Sequence, residues 1–202
     1  DWRPNEKATR AEALAMFHDA LGITLDIEII ARSAWNAGYT LVADKFRRGR
    51  IFLGGDAAHL FTPTGGLGYN TAVEDAVNLG WKLAAVLNGW GGPALLDSYE
   101  IERQALARRN TTYARQFADS VGLFQAHPDL ESTSEVGESL RAQASEVLNA
   151  HVRLEFNIPG VTFGGRYDGS PVIMADGTSP PPDVANDYQP TACPGGRPPH
   201  AW

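Results

Sequence analysis

The sequence predicts a mixed α/β chain: short strands near its start, long helices through its middle, and an extended stretch rich in Pro and Gly at its end. Three observations carry that class. Residues 23–33 alternate apolar and polar side chains with the period of a strand. Residues 69–121 repeat apolar side chains at helical spacing in two long runs, separated by Gly89 and Gly91-Gly92-Pro93. From Ile158 onward, Pro159-Gly160, Gly164-Gly165, Asp168-Gly169, Asp176-Gly177 and Pro180-Pro181-Pro182 follow in quick succession and interrupt any regular element.

Taken in order, residues 6–21 place Leu14, Phe17, Ala20 and Leu21 at helical spacing and end at Gly22, so a packing helix is expected there. Ile23, Leu25, Ile27 and Ile29 then share one face and Thr24, Asp26 and Glu28 the other, a strand over 23–33. Trp35–Val42 is a second strand, with Asn36-Ala37-Gly38 as a turn signal. Two neighbouring strands after a helix suggest the edge of an antiparallel sheet. Arg50–Leu53 is a short strand of buried type. The helix from Tyr69 to Asn88 carries Val73, Ala76, Val77, Gly80, Leu83, Ala84 and Leu87 as an apolar stripe, read as core, and Gly89 stops it. A second helical region, Pro93–Val121, bends near Ser98. Its apolar side is Leu95, Leu96, Tyr99, Leu106, Tyr113 and Phe117. Glu100, Glu102, Arg103, Arg108, Arg109 and Arg115 read as its solvated face, with ion pairs of small individual value. One more helix is expected over 134–150, after the loop His127-Pro128-Asp129, and short strands at Val161–Phe163 and Val172–Met174.

Composition bounds the function. A chain of 202 residues with 43% hydrophobic and 20% charged residues reads as an ordinary globular protein of one domain or parts of two. A formal net charge of −7 argues against bulk attraction to nucleic acid or anionic membranes, and Arg47, Arg48 and Arg50 read as a solvated strand entry. No stretch approaches the length of a membrane span and no signal-peptide pattern is present. The single cysteine, Cys193, excludes an internal disulfide, fits a reducing cytoplasm and has no base beside it in sequence. His18, His59, His127, His151 and His200 show no metal-ligand spacing, so no metal site is expected.

The chemistry concentrates in Gly54-Gly55-Asp56-Ala57-Ala58-His59-Leu60-Phe61-Thr62-Pro63-Thr64-Gly65-Gly66-Leu67-Gly68-Tyr69-Asn70. A strand ends at a carboxylate, a Pro/Gly loop follows, and a helix begins. Glycines at 65, 66 and 68 remove the Cβ atoms that would keep a ligand from backbone N–H groups, and the helix start offers a partial positive charge. A flat or anionic ligand with hydroxyls for Asp56 would fit. Asp56 is a hydroxyl acceptor or a turn aspartate, Asn70 a ligand donor or a helix cap, His59 a ligand contact or a loop brace, and Tyr69 faces ligand or core.

With its continuation Thr71–Ala84 and the later Leu95-Leu96-Asp97-Ser98-Tyr99-Glu100-Ile101-Glu102-Arg103, this stretch resembles the second flavin motif of FAD-dependent aromatic hydroxylases, the single-component monooxygenases of the p-hydroxybenzoate and phenol hydroxylase kind. The likeness returns in Tyr188–Trp202 and covers most of residues 35–202. The resemblance implies that Asp56 binds the ribityl chain of FAD, and that Pro63, Gly65, Gly66, Leu67, Gly68, Tyr69, Asn70 and His59 belong to the flavin site. It further implies that residues 1–45 end a substrate-binding domain and 46–125 form the C-terminal part of an FAD-binding domain. Residues 126–202 then form a helix and loop-rich segment leading to a further domain. NADH or NADPH would reduce the flavin, O2 would add as a C4a-hydroperoxide, and a phenolic ring would be hydroxylated. No catalytic residue is assigned, and the family leaves room for a homodimer.

The G-x-G-x-x-G turn that cradles a dinucleotide pyrophosphate occurs nowhere in the sequence. The chain therefore reads as a C-terminal piece of such an enzyme, with the AMP end of FAD held by residues outside it and the piece alone inactive. Two competitors stand beside this reading. One is a related flavoprotein with other chemistry, a halogenase or an isoprenoid reductase. The other is a truncated, non-catalytic packing module. Trp35 and Tyr39 are the candidate substrate-pocket residues.

Overall fold

The computed structural model describes residues 9–31 and 39–200. The chain divides into two compact units, Asp1–Asn36 and Ala37–Trp202.

In the first unit, helix α1 runs over Arg10–Leu21. Thr9 caps it by a reciprocal pair of bonds: its hydroxyl accepts the Glu12 amide at 3.2 Å, and the Glu12 carboxylate accepts the Thr9 amide at 2.6 Å. Gly22, at φ 67°, closes the other end as the sequence predicts. No residue of α1 is buried, contrary to the expected packing helix. Nor does the alternation over 23–33 become a strand: among the described residues no ladder forms there, and Ile23, Leu25 and Ile30 are exposed. Alternation is only half of a strand's requirement; the other half is a partner to take its hydrogen bonds. Trp35 and the turn signal Asn36-Ala37-Gly38 lie outside the described residues.

The second unit begins with two small antiparallel ladders. Strand β1 (Leu41–Val42) pairs with β4 (His59–Leu60), Val42 standing opposite His59. Strand β2 (Arg47–Arg48) pairs with β3 (Ile51–Phe52) around Gly49, whose φ of 60° makes the tight reversal. The expected strand at Arg50–Leu53 is therefore present as its central pair, but not as a buried one: Ile51 is exposed, because this two-stranded ladder has an open face. Helix α2 spans Leu67–Leu87 and α3 spans Asp97–Gly122, the latter entered through a 3-10 turn at Pro93–Leu96. The bend expected near Ser98 is that change of winding. Helix α4 covers Glu135–Phe156, capped by Ser134, and runs past its expected end at 150.

Past α4, two expectations fail. Val161–Phe163 is not a strand but the end of a short helix, α5 (Pro159–Phe163), because Pro159 opens it with a preset φ and the Thr162 amide reaches back to the Ile158 carbonyl at 3.0 Å. Val172–Met174 is not a strand: Val172 lies in a turn closed by the Ile173 amide on the Ser170 carbonyl at 3.1 Å, and Met174 follows it in irregular chain. The loop-rich segment is nevertheless fixed. Arg109 grips Asp183 with Nε and Nη2 at 2.8 and 2.7 Å, and Asn186 donates to the Asn157 carbonyl at 2.7 Å, past the end of α4.

Two apolar clusters hold the unit together. One joins Phe46, Ala58, Tyr99 and Ala107; the other joins Leu67, Ala114, Phe117, Val161 and Ala185. Where α2 faces α3, however, the contact is polar. The buried residues of α2 are Leu67, Thr71, Asp75, Asn78, Lys82 and Ala85, while Val73, Val77 and Leu87 of the expected stripe are exposed. Thr71, Asp75, Asn78 and Lys82 recur at helical spacing, and this polar face turns inward because α3 supplies its partners. Glu102 and Arg103, expected on a solvated face, are 2% and 0% exposed. Arg103 donates from Nε to Asp75 at 2.7 Å and from Nη2 to Glu74 at 2.8 Å. Glu102 takes up Lys82, Asn78 (2.7 Å) and the Ser170 hydroxyl (2.6 Å).

Burial by itself raises the Asp75 carboxyl, but hydrogen bonds from His59, Arg103 and the Gly55 amide, with the guanidinium charge, outweigh it and hold Asp75 below the usual carboxylate range. A depressed carboxyl adds stability above its unfolded pKa, about 3.9, that is lost as pH falls through the folded value. Asp75→Asn leaves Arg103 buried without its closest countercharge and is expected to cost about 3–5 kcal/mol in denaturant unfolding. The same variant flattens the acid limb of a stability–pH profile, which in the wild type falls away below about pH 4.

Candidate functional site

The site is built on a corner fastened from two helices. After β3 the chain turns through Gly54 into a 3-10 turn at Gly55–Ala57, with Gly55 at φ 57°. Tyr99 of α3 donates its hydroxyl to the Leu53 carbonyl at 2.7 Å, and Asp75 of α2 accepts the Gly55 amide at 3.0 Å. A Cβ on Gly54 would stand 2.9 Å from the Tyr99 oxygen, so a side chain there would push the corner off α3. Burial pushes the Tyr99 phenol well up, aided by the neighbouring Asp75 charge, so it remains a hydrogen-bond donor.

Asp56 stands at the crest of this turn. It is exposed, and among the described residues its carboxylate has no hydrogen bond or ion pair. It is therefore a free pair of acceptors, and it sits in the 3-10 turn Gly55–Ala57 rather than at the end of a strand as expected, since β3 ends at Phe52. His59 is placed differently. It is 1% exposed, its Nε2 lies 2.7 Å from Asp75 Oδ2, and its ring packs edge-on to Phe61. Its ring thus joins β4 to the α2 carboxylate from beneath the surface.

The loop at 63–66 is anchored from beneath. Pro63 is exposed, and Gly65 and Gly66 take φ of 72° and 61° before α2 starts. The Thr64 hydroxyl donates to the Ala114 carbonyl at 2.7 Å, and the Gly66 amide bonds the Pro63 carbonyl at 3.3 Å. The Gly65 amide donates to Glu155 of α4 at 2.7 Å. Two of the loop amides expected to be open to a ligand are thus spent within the protein. Leu67 is buried in the second apolar cluster, and Gly68 lies over Phe61. Tyr69 is 79% exposed, which settles against the core and leaves its ring on the open side. The Asn70 side chain donates to the Gly66 carbonyl at 2.8 Å, tying the helix start to the loop. Asp56, Pro63, Gly66, Tyr69 and Asn70 are exposed, whereas His59 and Leu67 lie beneath the surface.

Sequence reasoning missed Asp75, Tyr99, Phe117 and Glu155 as the supports of this surface. Asp75 was legible in the polar spacing 71, 75, 78, 82; Glu155 carries no local signal. Among the described residues no group of His, Cys, Asp and Glu is placed to hold a metal ion, and no helix is long and apolar enough to cross a membrane.

Residues 2–114 match the family described as an FAD binding domain. The phenol 2-monooxygenase of a Pseudomonas species is 36% identical over 213 aligned residues, covering 95% of this chain and 34% of that enzyme. The 2,4-dichlorophenol 6-monooxygenase of Cupriavidus pinatubonensis is 35% identical, covering 94% of this chain and 34% of that enzyme. Among solved structures, the flavin-dependent monooxygenase PieE in complex with FAD and substrate superposes with a TM-score of 0.76 at 32% identity. That match covers 100% of this chain and 38% of the PieE chain. The chain thus spans about a third of the length of these relatives.

The glycines of the loop differ in what they demand. At Gly65 a Cβ would meet the Phe117 ring at 2.8 Å as well as an unfavourable φ, whereas at Gly66 nothing lies within 4 Å. Gly66→Ala is expected to cost about 1–2 kcal/mol from backbone strain alone. Gly65→Ala is expected to cost about 1–3 kcal/mol more, from overpacking, in the same unfolding experiment.

Proposed function

The chain belongs to the FAD-binding-domain family, and from that premise we propose that it forms the flavin-ring side of an FAD-dependent aromatic hydroxylase. The observation that carries the reading is the unpartnered Asp56 carboxylate, held on a glycine corner against α2. A carboxylate with both oxygens open accepts hydroxyl hydrogens, and the ribityl chain supplies them. Gly55 lets the turn sit close on α2, where a Cβ would stand 3.2 Å from Ala72, so the corner that carries Asp56 is held tight. Pro63, Gly65, Gly66 and Gly68 then form the wall beside the ring, and Tyr69 and Asn70 its rim. The start of α2 would offer a fixed positive end to the negative charge of a reduced flavin, without reorganisation.

When bound, FAD supplies the redox and oxygen-transfer chemistry, drawing electrons from NADH or NADPH and oxygen from O2. The chain's own residues bind, orient and brace. The substrate we assign is a small phenolic or aromatic ring, a reading supported by the two phenol-named relatives. We assign residues 1–45 to the end of the substrate-binding domain, 46–125 to the FAD-binding domain and 126–202 to the segment that follows. The AMP end of FAD is assigned to residues outside the chain, in agreement with the absence of G-x-G-x-x-G here.

The test is the visible spectrum of the full polypeptide that carries this chain. Purified protein is expected to be yellow and to oxidise NADH or NADPH in response to a phenol. Asp56→Ala is expected to weaken FAD binding by about tenfold or more, the value of a hydrogen bond to a charged group. A full polypeptide that stays colourless and takes up no added FAD sinks the proposal.

A further inference from the structure

Resting on that reading, we propose that Glu155 is a positioning residue for the flavin loop, acting from α4 through the Gly65 amide and held in place by His151 and Ser120. Glu155 is 9% exposed, far too buried for a carboxylate with only solvent to answer. Its two oxygens have separate tasks. Oε1 accepts the Gly65 amide at 2.7 Å; Oε2 lies 2.8 Å from His151 Nε2, one helical turn earlier on α4. The other ring nitrogen of His151, Nδ1, lies 2.7 Å from the Ser120 hydroxyl near the end of α3. The result is a hydrogen-bonded chain from α3 through α4 to a single backbone amide.

That amide belongs to a residue in a left-handed conformation at the loop's tightest point of contact with Phe117. Gly65 is left-handed, and its position over the Phe117 ring leaves no space for it to settle inward. A loop of this kind exchanges among several conformations unless something selects one. Glu155 selects the conformation in which the Gly65 amide points down into the protein and the loop's outer surface is bare. The carboxylate thereby fixes where the proposed ring wall lies and which amides face it, and it does so without reaching the ligand.

The experiment uses the full polypeptide with Glu155→Ala and Glu155→Gln, since a glutamine oxygen still accepts the Gly65 amide. Two readouts are taken: FAD affinity by spectral titration, and deuterium uptake of the FAD-free protein in the peptide covering residues 61–70. Glu155→Ala is expected to weaken FAD binding by about tenfold or more and to speed exchange in that peptide, while Glu155→Gln stays within about threefold of the wild type. Equal FAD affinity and equal exchange in wild type and Glu155→Ala overturn the proposal. So does fast, unprotected exchange of the loop in the wild type, a result that stands even where Glu155→Ala fails to fold. A wild type that takes up no FAD but shows the Glu155-dependent exchange overturns the cofactor reading alone, and with it the purpose assigned to the clamp.

Discussion

The Asp75 carboxylate is the constraint on which the second unit depends. Its two oxygens receive the Gly55 amide, the His59 imidazole and the Arg103 guanidinium, so one side chain ties the Asp56 turn, strand β4 and helix α3 to helix α2. Each donor comes from a different element, and none can be replaced by an apolar contact of the same reach. The turn that displays Asp56 is therefore positioned from the buried layer upward. Its own residues, two glycines and an alanine beside Asp56, have little with which to hold themselves.

Such a layer is an expensive way to join two helices. Each buried charge gives up several kcal/mol of hydration, and good pairing in a low-dielectric interior only roughly offsets that loss. Lys82 shows the balance: burial pulls its ammonium down, against the hydrogen bond and charge of Glu102. The gain is in register. Apolar faces tolerate sliding by a turn, whereas Asp75 with Arg103, Asn78 and Lys82 with Glu102, and Asn110 with Thr71 match at one offset of α2 on α3. The proposed site, drawn from a corner on one side and a helix start on the other, would need that single offset.

Much of this was legible in the sequence because it depends on local chemistry. The glycines at 22 and 89 end helices, Pro93 and the bend near Ser98 mark a change of winding, and the loop at 63–66 precedes a helix as its residues require. The apolar side expected for the second helical region does turn inward, with Leu96, Tyr99, Leu106 and Phe117 buried. What failed was the face of α2 and the solvated face expected for Glu102 and Arg103. In α2, periodicity offers two stripes, one through Val73, Val77 and Leu87 and one through Thr71, Asp75, Asn78 and Lys82. Hydrophobicity favours the first, and the structure buries the second, since the partner's charges decide and α3 carries Glu102 and Arg103. The alternating run at 23–33 failed for a similar reason: a strand is a property of a pair. Glu155 was out of reach altogether, for its partner lies ninety residues away in sequence.

The division of labour within the site follows from where its donors point. A glycine loop is commonly read as a set of amides presented to a ligand, yet here the Gly65 and Gly66 amides are both engaged inside the protein. Their glycines are needed for shape: left-handed backbone, and at Gly65 no atom that could clash with Phe117. What the loop offers outward is therefore a bare, rigid wall. In the proposed site the polar recognition would fall to the Asp56 carboxylate on one side, and the electrostatic contribution to the start of α2 on the other. There such a wall would orient a flat ring mainly by contact. Such orientation would hold only as well as the wall is held, and its supports come from beneath: Phe117 and Glu155 are buried, and the half-buried Thr64 bonds the Ala114 carbonyl.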